Sequence, residues 1–569
     1  MAEPVRHIWL GADALVTALG DRASTLAAIE AGRTGLAASE ALRMVVGAIP
    51  DDTPLAEPLA GYTRMEALMI RTVGEVVAQS GVRLDDGRVQ LVVSTTKGNV
   101  DLLKGCGVTP PGEAFIFSSV RRAAEYFGAA RRPIAISNAC ISGLSAIIVG
   151  QRLLLAGECD AVVVVGCDLL SEFVAEGFRS FKSVSERPCR PYDAERDGLT
   201  LGEACGALLL TADRGLAQES AIELLGGAVT NDANHISGPS RTGDGLYYAI
   251  RAAMEQACVG PEAVGLVNAH GTATLYNDEM ESKALVWAGL DGVPMNGLKG
   301  CLGHTLGASG VVETIVCAEE LRRGIVYGTK GYESSGVPFA LNLSPRNRPL
   351  EQRCCVKTAS GFGGCNAAIV LAGEGCGISA FVPADACRIV ERAAYRLPQS
   401  PRPFGEFIRE EFRALDAPNM KFYKMSDLSK ALYVAVERLL REAPLDERIA
   451  PTEVALVLSN RASSLDTDLE HQRILDEGTE PASPAVFVYT LPNVAAGEAC
   501  IRHGIQGDNT FFIDDEDDGL AERYARLSLG QGRARAAICG RCELLGGEWE
   551  VALKLLETES ETETESDIQ

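Results

Sequence analysis

The side chain best placed for chemistry is a thiol. Cys140 follows the short apolar run 133–138 and precedes Ile141-Ser-Gly-Leu-Ser145, which opens a helix-forming stretch; a second apolar run, 161–166, comes next. The pattern is strand, sharp turn, helix, strand, with the thiol at the turn. There the helix dipole and free N–H groups favour the thiolate, which is the nucleophilic form. Two of the six histidines stand in glycine-flanked settings, Asn268-Ala-His270-Gly-Thr272 and Lys299-Gly-Cys-Leu-Gly-His304. One cysteine and two separated histidines suit covalent catalysis with acid–base or electrostatic help. Alone, Cys140 reads more readily as a buried structural thiol, and each histidine as a satisfied core residue; the set shifts the balance. Gly303, Gly307 and Gly310 allow close backbone approach around His304. The glycine loop 360–366 could present a backbone N–H to a reacting carbonyl oxygen. It does not open a helix after a strand, which makes a dinucleotide-binding loop a weak reading.

These residues need a framework of alternating strands and helices. Residues 5–18 carry an apolar strand pattern, residues 61–80 an amphipathic helix around Met65, Leu68, Met69 and Val73, and residues 89–94 a strand. Strand–turn–helix units follow to about residue 215, and a second strand-rich half runs from about 220 to 373. Such alternation predicts a mixed or parallel sheet covered by helices. Residues 374–404 read as a linker, with three prolines between 396 and 405. The opening pattern then returns over 405–556. Tyr423-Lys-Met425 and its helix echo Tyr62-Thr-Arg-Met65, and 454–459 echoes 89–94. The run 486–494, followed by Ala495-Ala-Gly497, echoes the segment around Cys140 and puts Asn493 or Val494 at the nucleophile's place. Residues 557–569 form a Thr/Ser/Glu repeat that reads as a disordered acidic tail.

Composition narrows the classes. At 569 residues and 46% hydrophobic content the chain can build several buried cores. A net charge of −24 argues against non-specific nucleic-acid binding, and no apolar stretch reaches the roughly 20 residues of a membrane helix. The N-terminus shows no export signal, so the 17 scattered cysteines are expected to be reduced thiols of a cytoplasmic protein. Cys539-Gly-Arg-Cys542 lacks a second pair to complete a zinc site.

Together the motifs resemble those of the β-ketoacyl-acyl-carrier-protein synthases, the condensing enzymes of the thiolase fold, over about residues 5–373. The resemblance rests on Asn138-Ala-Cys140-Ile-Ser-Gly143, on Arg190-Pro-Tyr-Asp193 with Arg196-Asp-Gly198 and Gly202-Glu203, and on His270-Gly-Thr-Ala-Thr274 with Asp278 and Glu281. Lys299, His304-Thr-Leu-Gly-Ala-Ser-Gly310, Glu313 and Gly361-Phe-Gly-Gly-Cys-Asn366 complete it. It implies an α/β thiolase fold, layered αβαβα with two mixed sheets, and an additional C-terminal half of the same kind without the cysteine. The set is similar to the Cys-His-His type, which elongates carrier-bound chains. Cys140 would be the nucleophile, and the N–H groups of Cys140 and the gatekeeper Phe362 the oxyanion hole, with Gly361 and Gly363 shaping that loop. His270 and His304 would bind the malonyl thioester oxygen, and Thr272 and Thr274 the phosphopantetheine arm. Lys299 would organise charge, a plain ion pair with Glu313 being an equal reading. No metal or resident cofactor is implied, since the pantetheine belongs to an acyl-carrier protein. That acidic partner would dock on basic patches; Arg121 and Arg122, Arg131 and Arg132, and Arg179 with Lys182 are candidates, a solvated face being the equal alternative. Ser360 and Cys365 depart from the family, which often has Phe and Thr there.

The C-terminal half is expected to pack on the catalytic part as a pseudo-subunit, in cis or across a homodimer or hetero-oligomer with another ketosynthase-like chain. Such fusions resemble proteins of bacterial aryl-polyene or flexirubin-type pathways. Two other functions stay open: a silent, chain-length-factor-like partner, against which Cys140 argues, and an acyl-CoA thiolase, against which the lack of a second cysteine in a Cys-x-Gly setting argues.

Overall fold

The computed structural model describes residues 6–373, 387–516 and 519–559. One strand arrangement occurs three times. The first unit contains β1 (Trp9–Thr17), β2 (Val89–Ser94), β3 (Ile134–Ile136), β4 (Ala161–Asp168) and β5 (Ala204–Thr211), in spatial order β3-β2-β4-β5-β1. The second contains β6 (Ile222–Asn231), β7 (Leu266–Asn268), β8 (Met295–Asn296), β9 (Cys354–Gly361) and β10 (Cys365–Gly373), in order β8-β7-β9-β10-β6. The third contains β11 (Arg388–Arg396), β12 (Val454–Asn460), β13 (Asn509–Ile513), β14 (Ala536–Leu545) and β15 (Glu548–Glu559), in order β13-β12-β14-β15-β11. In each unit the second, third and fourth strands are parallel and the fifth runs antiparallel to the fourth and the first. The parallel strands are buried on both faces, which is why β4 reads as an unbroken valine run.

The first two units meet edge to edge where Trp9 lies opposite Glu223 and Leu10 opposite Ile222, with Leu224 N donating to Ile8 O (2.8 Å). They are the two mixed sheets of a thiolase fold, with helices Ser142–Leu155 and Ser309–Arg323 packed together within it. These helices touch at glycines: a Cβ on Gly143 would lie 2.8 Å from Gly310 Cα, and one on Gly310 2.3 Å from Leu144 N.

The third unit joins the first in cis, as a pseudo-subunit. β13 pairs antiparallel with β3, Phe512 opposite Ile136 and Ile513 opposite Ala135. Asn138 stitches this seam, its Nδ2 donating to Asn509 O (2.6 Å) and its Oδ1 accepting from Phe511 N (2.8 Å). Ion pairs flank it. Lys97 Nζ lies 2.9 Å from Asp468 Oδ1, both side chains 6% exposed. Arg152 pairs with Asp508 in the interior, and Arg132 binds Asp514, Asp515 and Glu516 at the rim.

Three sequence-based expectations need correction. The linker 374–404 contains β11, the first strand of the third unit, and β15 runs to Glu559, into the stretch read as tail; residues 374–386 and those beyond Glu559 lie outside the described residues. The echo placed at 486–497 is also displaced. Ser94 lies opposite Ile136 across β2 and β3, and Ser459 opposite Phe512 across β12 and β13, so Ile136 and Phe512 correspond. Cys140 comes four residues after Ile136, and the residue four after Phe512 is Glu516. Glu516, not Asn493 or Val494, therefore holds the nucleophile's place in the third unit. Asn493 instead begins helix Asn493–His503, which precedes β13. Its small residues serve close packing: a Cβ on Gly497 would lie 2.5 Å from Gly363 O.

Candidate active site

The turn after β3 is built to present a side chain. Ala139, fully buried, adopts φ +48°, a left-handed conformation that costs a non-glycine residue energy and persists only where packing enforces it. Asn138 N donates to Ser142 Oγ (2.8 Å), which closes the turn before the helix. Cys140 emerges between these fixed points, 9% exposed.

His270 and His304 come from the second unit. The His270 loop follows β7 and wraps a buried carboxylate: Glu281 accepts from His270 N (2.8 Å) and Gly271 N (2.7 Å), and also from Tyr192 Oη (2.8 Å). Asp278 accepts from Tyr192 N (2.7 Å) and Ala273 N (3.1 Å). The acidic residues of the motif thus shape the loop. His304 Nδ1 accepts from Leu306 N (3.1 Å), which leaves the proton on Nε2. The two imidazoles cross at 86° with centroids 5.1 Å apart, and Cys140 Sγ and one nitrogen of each histidine lie within 4.8 Å of one another. They line a cavity of about 240 Å³ with Thr272, Thr274, Phe178, Phe181 and Phe362. Thr272 Oγ1 and Thr274 Oγ1 are 2.9 Å apart.

Lys299 does not line this cavity. Its Nζ donates to His270 O (2.5 Å) and Glu313 Oε1 (2.9 Å). Lys357, which the sequence reading passed over, pairs with the other oxygen of Glu313 and donates to Thr358 O (2.8 Å). Two buried ammonium groups thus share one carboxylate, leaving positive charge behind the histidines. Burial, then Lys299, holds both imidazoles well below their usual pKa, with Lys357 adding to the effect; both are neutral at pH 7. The three convergent Cys and His atoms could ligate a small cation, but the two lysines favour an anionic occupant. His270 Nδ1 is buried with no hydrogen-bond partner among the described residues.

The dipole-assisted thiolate expected from sequence gives way to burial. Burial pushes the Cys140 thiol up to about 12, Lys299 opposing and Asp168 adding to the rise. At rest the site therefore holds a thiol beside neutral imidazoles. Alkylation of Cys140 by iodoacetamide is expected to quicken about tenfold per pH unit between about pH 7 and pH 9 with no plateau, and Lys299→Met to slow it throughout. Timed intact-mass measurements check this; a plateau below about pH 8 would show a thiolate already present.

The docking candidates are mostly engaged within the chain. Arg121 pairs with Asp515 and Arg132 with Asp514–Glu516 at the seam, Arg122 pairs with Glu66, and Arg179 with Glu176. Arg131 donates to Gln90 Oε1 and Glu158 O. Lys182 is exposed. Cys365 Sγ lies 3.3 Å from Phe362 O and 3.6 Å from Asn138 O, outside the cavity lining.

The arrangement has known counterparts. Residues 116–214 match the N-terminal domain of the β-ketoacyl synthases and residues 221–333 their C-terminal domain. Residues 116–333 are thus similar to both domains of the β-ketoacyl synthases. Over 251 residues it is 33% identical to 3-oxoacyl-[acyl-carrier-protein] synthase 2 of Rhizobium meliloti, covering 42% of this chain and 59% of that one. Over 255 residues it is 34% identical to the protein of the same name from Vibrio cholerae, covering 42% and 61%. The match thus spans about three fifths of these curated relatives. A ketosynthase solved in complex with its chain length factor, from Xenorhabdus doucetiae, is 27% identical with a TM-score of 0.56, over 65% of this chain and 98% of that one. The solved PfaC keto synthase–chain length factor, 14% identical with a TM-score of 0.78, covers 98% of this chain and 79% of its own, and so shares the fold through the third unit. Among the described residues, no helix is long and apolar enough to cross a membrane.

Proposed function

We propose that this ketosynthase carries out a decarboxylative Claisen condensation between an acyl thioester and malonyl-acyl-carrier protein. The observation that carries the reading is the convergence of Cys140 Sγ with both histidines in one cavity. Cys140 attacks the acyl thioester carbonyl; the C–S bond to the carrier breaks, and the thiol proton leaves with the departing sulfur. The developing oxyanion faces the N–H groups of Cys140 and Phe362. The malonyl thioester then enters, its oxygen taking hydrogen bonds from His270 and His304. Carbon dioxide leaves, and the electron pair of the broken C–C bond is held as an enolate near the positive charge of Lys299 and Lys357. The enolate carbon attacks the acyl-enzyme carbonyl, the C–S bond to Cys140 breaks, and the departing thiolate takes up one proton from solvent, the proton that the overall reaction consumes. Thr272 and Thr274, which line the cavity, hold the pantetheine arm in this reading, and the reaction calls on no resident cofactor or metal. The test is incubation with malonyl- and acyl-loaded carrier protein. An acyl adduct on Cys140, carbon dioxide release and a β-ketoacyl product support the reading; coenzyme A-dependent acyl exchange without carbon dioxide would point to a thiolase.

We place the protein in the cytoplasm on the support of its reduced interior, where Cys167 and Cys205 face each other across β4 and β5 as free thiols.

The third unit also backs two of the aromatic rings that line the cavity. Phe487 lies 5.5 Å from Phe178 and 6.2 Å from Phe181, ring centroid to centroid. It fills the space beside Gly177, where a Cβ would fall 2.1 Å from its ring. Phe487→Ala is expected to lengthen the longest acyl group accepted by about two carbons or more, because the ring leaves a void into which the cavity-lining Phe178 and Phe181 can shift. Mass analysis of adducts formed from primers of graded length reads this out.

A further inference from the structure

The loop carrying Phe362 is a tight connection between β9 and β10, with Gly363 and Gly364 at φ +89° and +71°. Glycine on both sides of Phe362 lets the peptide units swivel, so the direction of the Phe362 N–H depends on what holds its neighbours. The second unit supplies three of the holds. Gly363 N donates to Ile236 O (2.6 Å), Asn231 Nδ2 to Gly363 O (2.9 Å), and Asp232 N to Gly364 O (2.7 Å).

A fourth hold comes from the other side of the molecule. Asn493, at the start of a helix of the third unit, donates from Nδ2 to Phe362 O (2.8 Å) and lies 3.6 Å from Cys365 Sγ. Phe362 O and Gly363 N belong to one peptide unit, so Asn493 and Ile236 pin it at both ends. The contact is close as well as polar: a Cβ on Gly363 would lie 2.6 Å from Asn493 Nδ2. Asn493 is 1% exposed, and its Oδ1 has no hydrogen-bond partner among the described residues. The reversed amide would set oxygen against oxygen at Phe362, so the orientation is fixed by the loop it serves. The third unit also grips the ring of Phe362 indirectly: Phe178 and Phe181 lie 5.9 and 5.3 Å from it and Phe487 packs behind both.

We propose that Asn493 is a positioning residue for the oxyanion donor of the active site, so that the third unit, which has Glu516 at the place of Cys140, holds the catalytic loop of the first two in its working geometry. This rests on the condensation reading above for its kinetic consequences, but the structural claim is separable from it.

The test uses full-length Asn493→Ala, Asn493→Asp and wild-type protein. Acyl transfer to Cys140 is expected to slow about 10- to 100-fold in Asn493→Ala, part of the loss seen when an oxyanion donor is removed outright. KM for the acyl thioester should change little, and malonyl decarboxylation, which relies on His270 and His304, should fall far less. Asn493→Asp should be slower than Asn493→Ala, because a carboxylate repels the Phe362 carbonyl. Hydrogen exchange at the Gly363 amide provides a readout independent of any reaction, and is expected to quicken about tenfold or more in Asn493→Ala, as expected of a local opening made easier. Unchanged exchange, or wild-type acyl transfer in a folded variant, would overturn the proposal. So would equal losses of acyl transfer and decarboxylation tracking a lower melting temperature, which mark a purely structural residue. If wild-type protein takes up no acyl group, the condensation reading fails while the exchange result still decides the role of Asn493.

Discussion

Cys140→Ala is expected to leave a folded protein that takes up no acyl group and condenses at least about 10⁴-fold more slowly than wild type. The size of the loss follows from the site's geometry. Among the described residues, the cavity lining offers no second thiol: Cys365 is close to the loop but turned toward Phe362 O and Asn138 O. No second thiol of the lining can therefore take over the covalent step. The change removes one sulfur from a position 9% exposed and keeps a small side chain at the end of the strained turn, so stability should be nearly unaffected. The variant also separates two halves of the reaction. His270, His304 and the charge behind them remain, so malonyl decarboxylation should persist when condensation has gone. Intact-mass analysis for the adduct and carbon dioxide release for the decarboxylation are the two measurements. Continued acylation of the variant would place the nucleophile elsewhere.

Glu313→Gln is expected to have the largest effect on stability, a loss of about 3–5 kcal/mol by denaturant titration. Glu313 lies between Lys299 and Lys357, and the three side chains are at most 3% exposed. Removing its charge leaves two ammonium groups buried beside each other without a counter-ion. Burial alone would raise the Glu313 carboxyl, but Lys299 and then Lys357 outweigh it and hold its pKa below the ordinary value of 4.5. A depressed carboxyl contributes stability that is present above its unfolded pKa and lost as pH falls through the folded one. Wild-type protein should therefore lose this contribution in acid, below about pH 4.5, and the gap between variant and wild type should narrow there. A gap that stays constant well below that pH, until the protein unfolds, would show that the triad's charge is not what Glu313 supplies. Breaking the exposed pair Lys104–Glu172 should not move the midpoint, since water already screens it.

The three reacting side chains were legible in the sequence because cysteine and histidine at glycine-flanked turns are chemically conspicuous. Their supporting charge was only half legible. Lys299 stands near His304 in a motif, but Lys357 sits within the apolar strand Cys354–Gly361, where a single charged residue in a fully buried run was the available signal. β11 was read as linker for the opposite reason: it is a half-exposed strand, Arg388-Ile-Val-Glu-Arg-Ala-Ala-Tyr-Arg396, whose charges mask its alternation. The third unit's kinship with the first was readable in its second strand, which is buried in both. The position matching Cys140 was not, because it depends on which residues lie opposite each other across β12 and β13. The apolar, small-residue run that imitates the nucleophile's surroundings belongs to a helix that packs on the Phe362 loop. Burial also reversed one expectation, since the cavity that lets Cys140 meet its substrate removes the water that would stabilise its thiolate.

The covalent continuity of the third unit with the first two has a kinetic meaning. A partner that must be found in solution leaves when enzyme is diluted, and activity per molecule then falls. Here β13 is tethered to the strand it completes, so the local supply of that partner does not depend on how much protein is present. Specific activity should stay flat across a dilution series from micromolar to nanomolar enzyme. One catalytic centre and one supporting unit are also made in fixed proportion each time the chain is synthesised, so unequal expression cannot leave either without its counterpart.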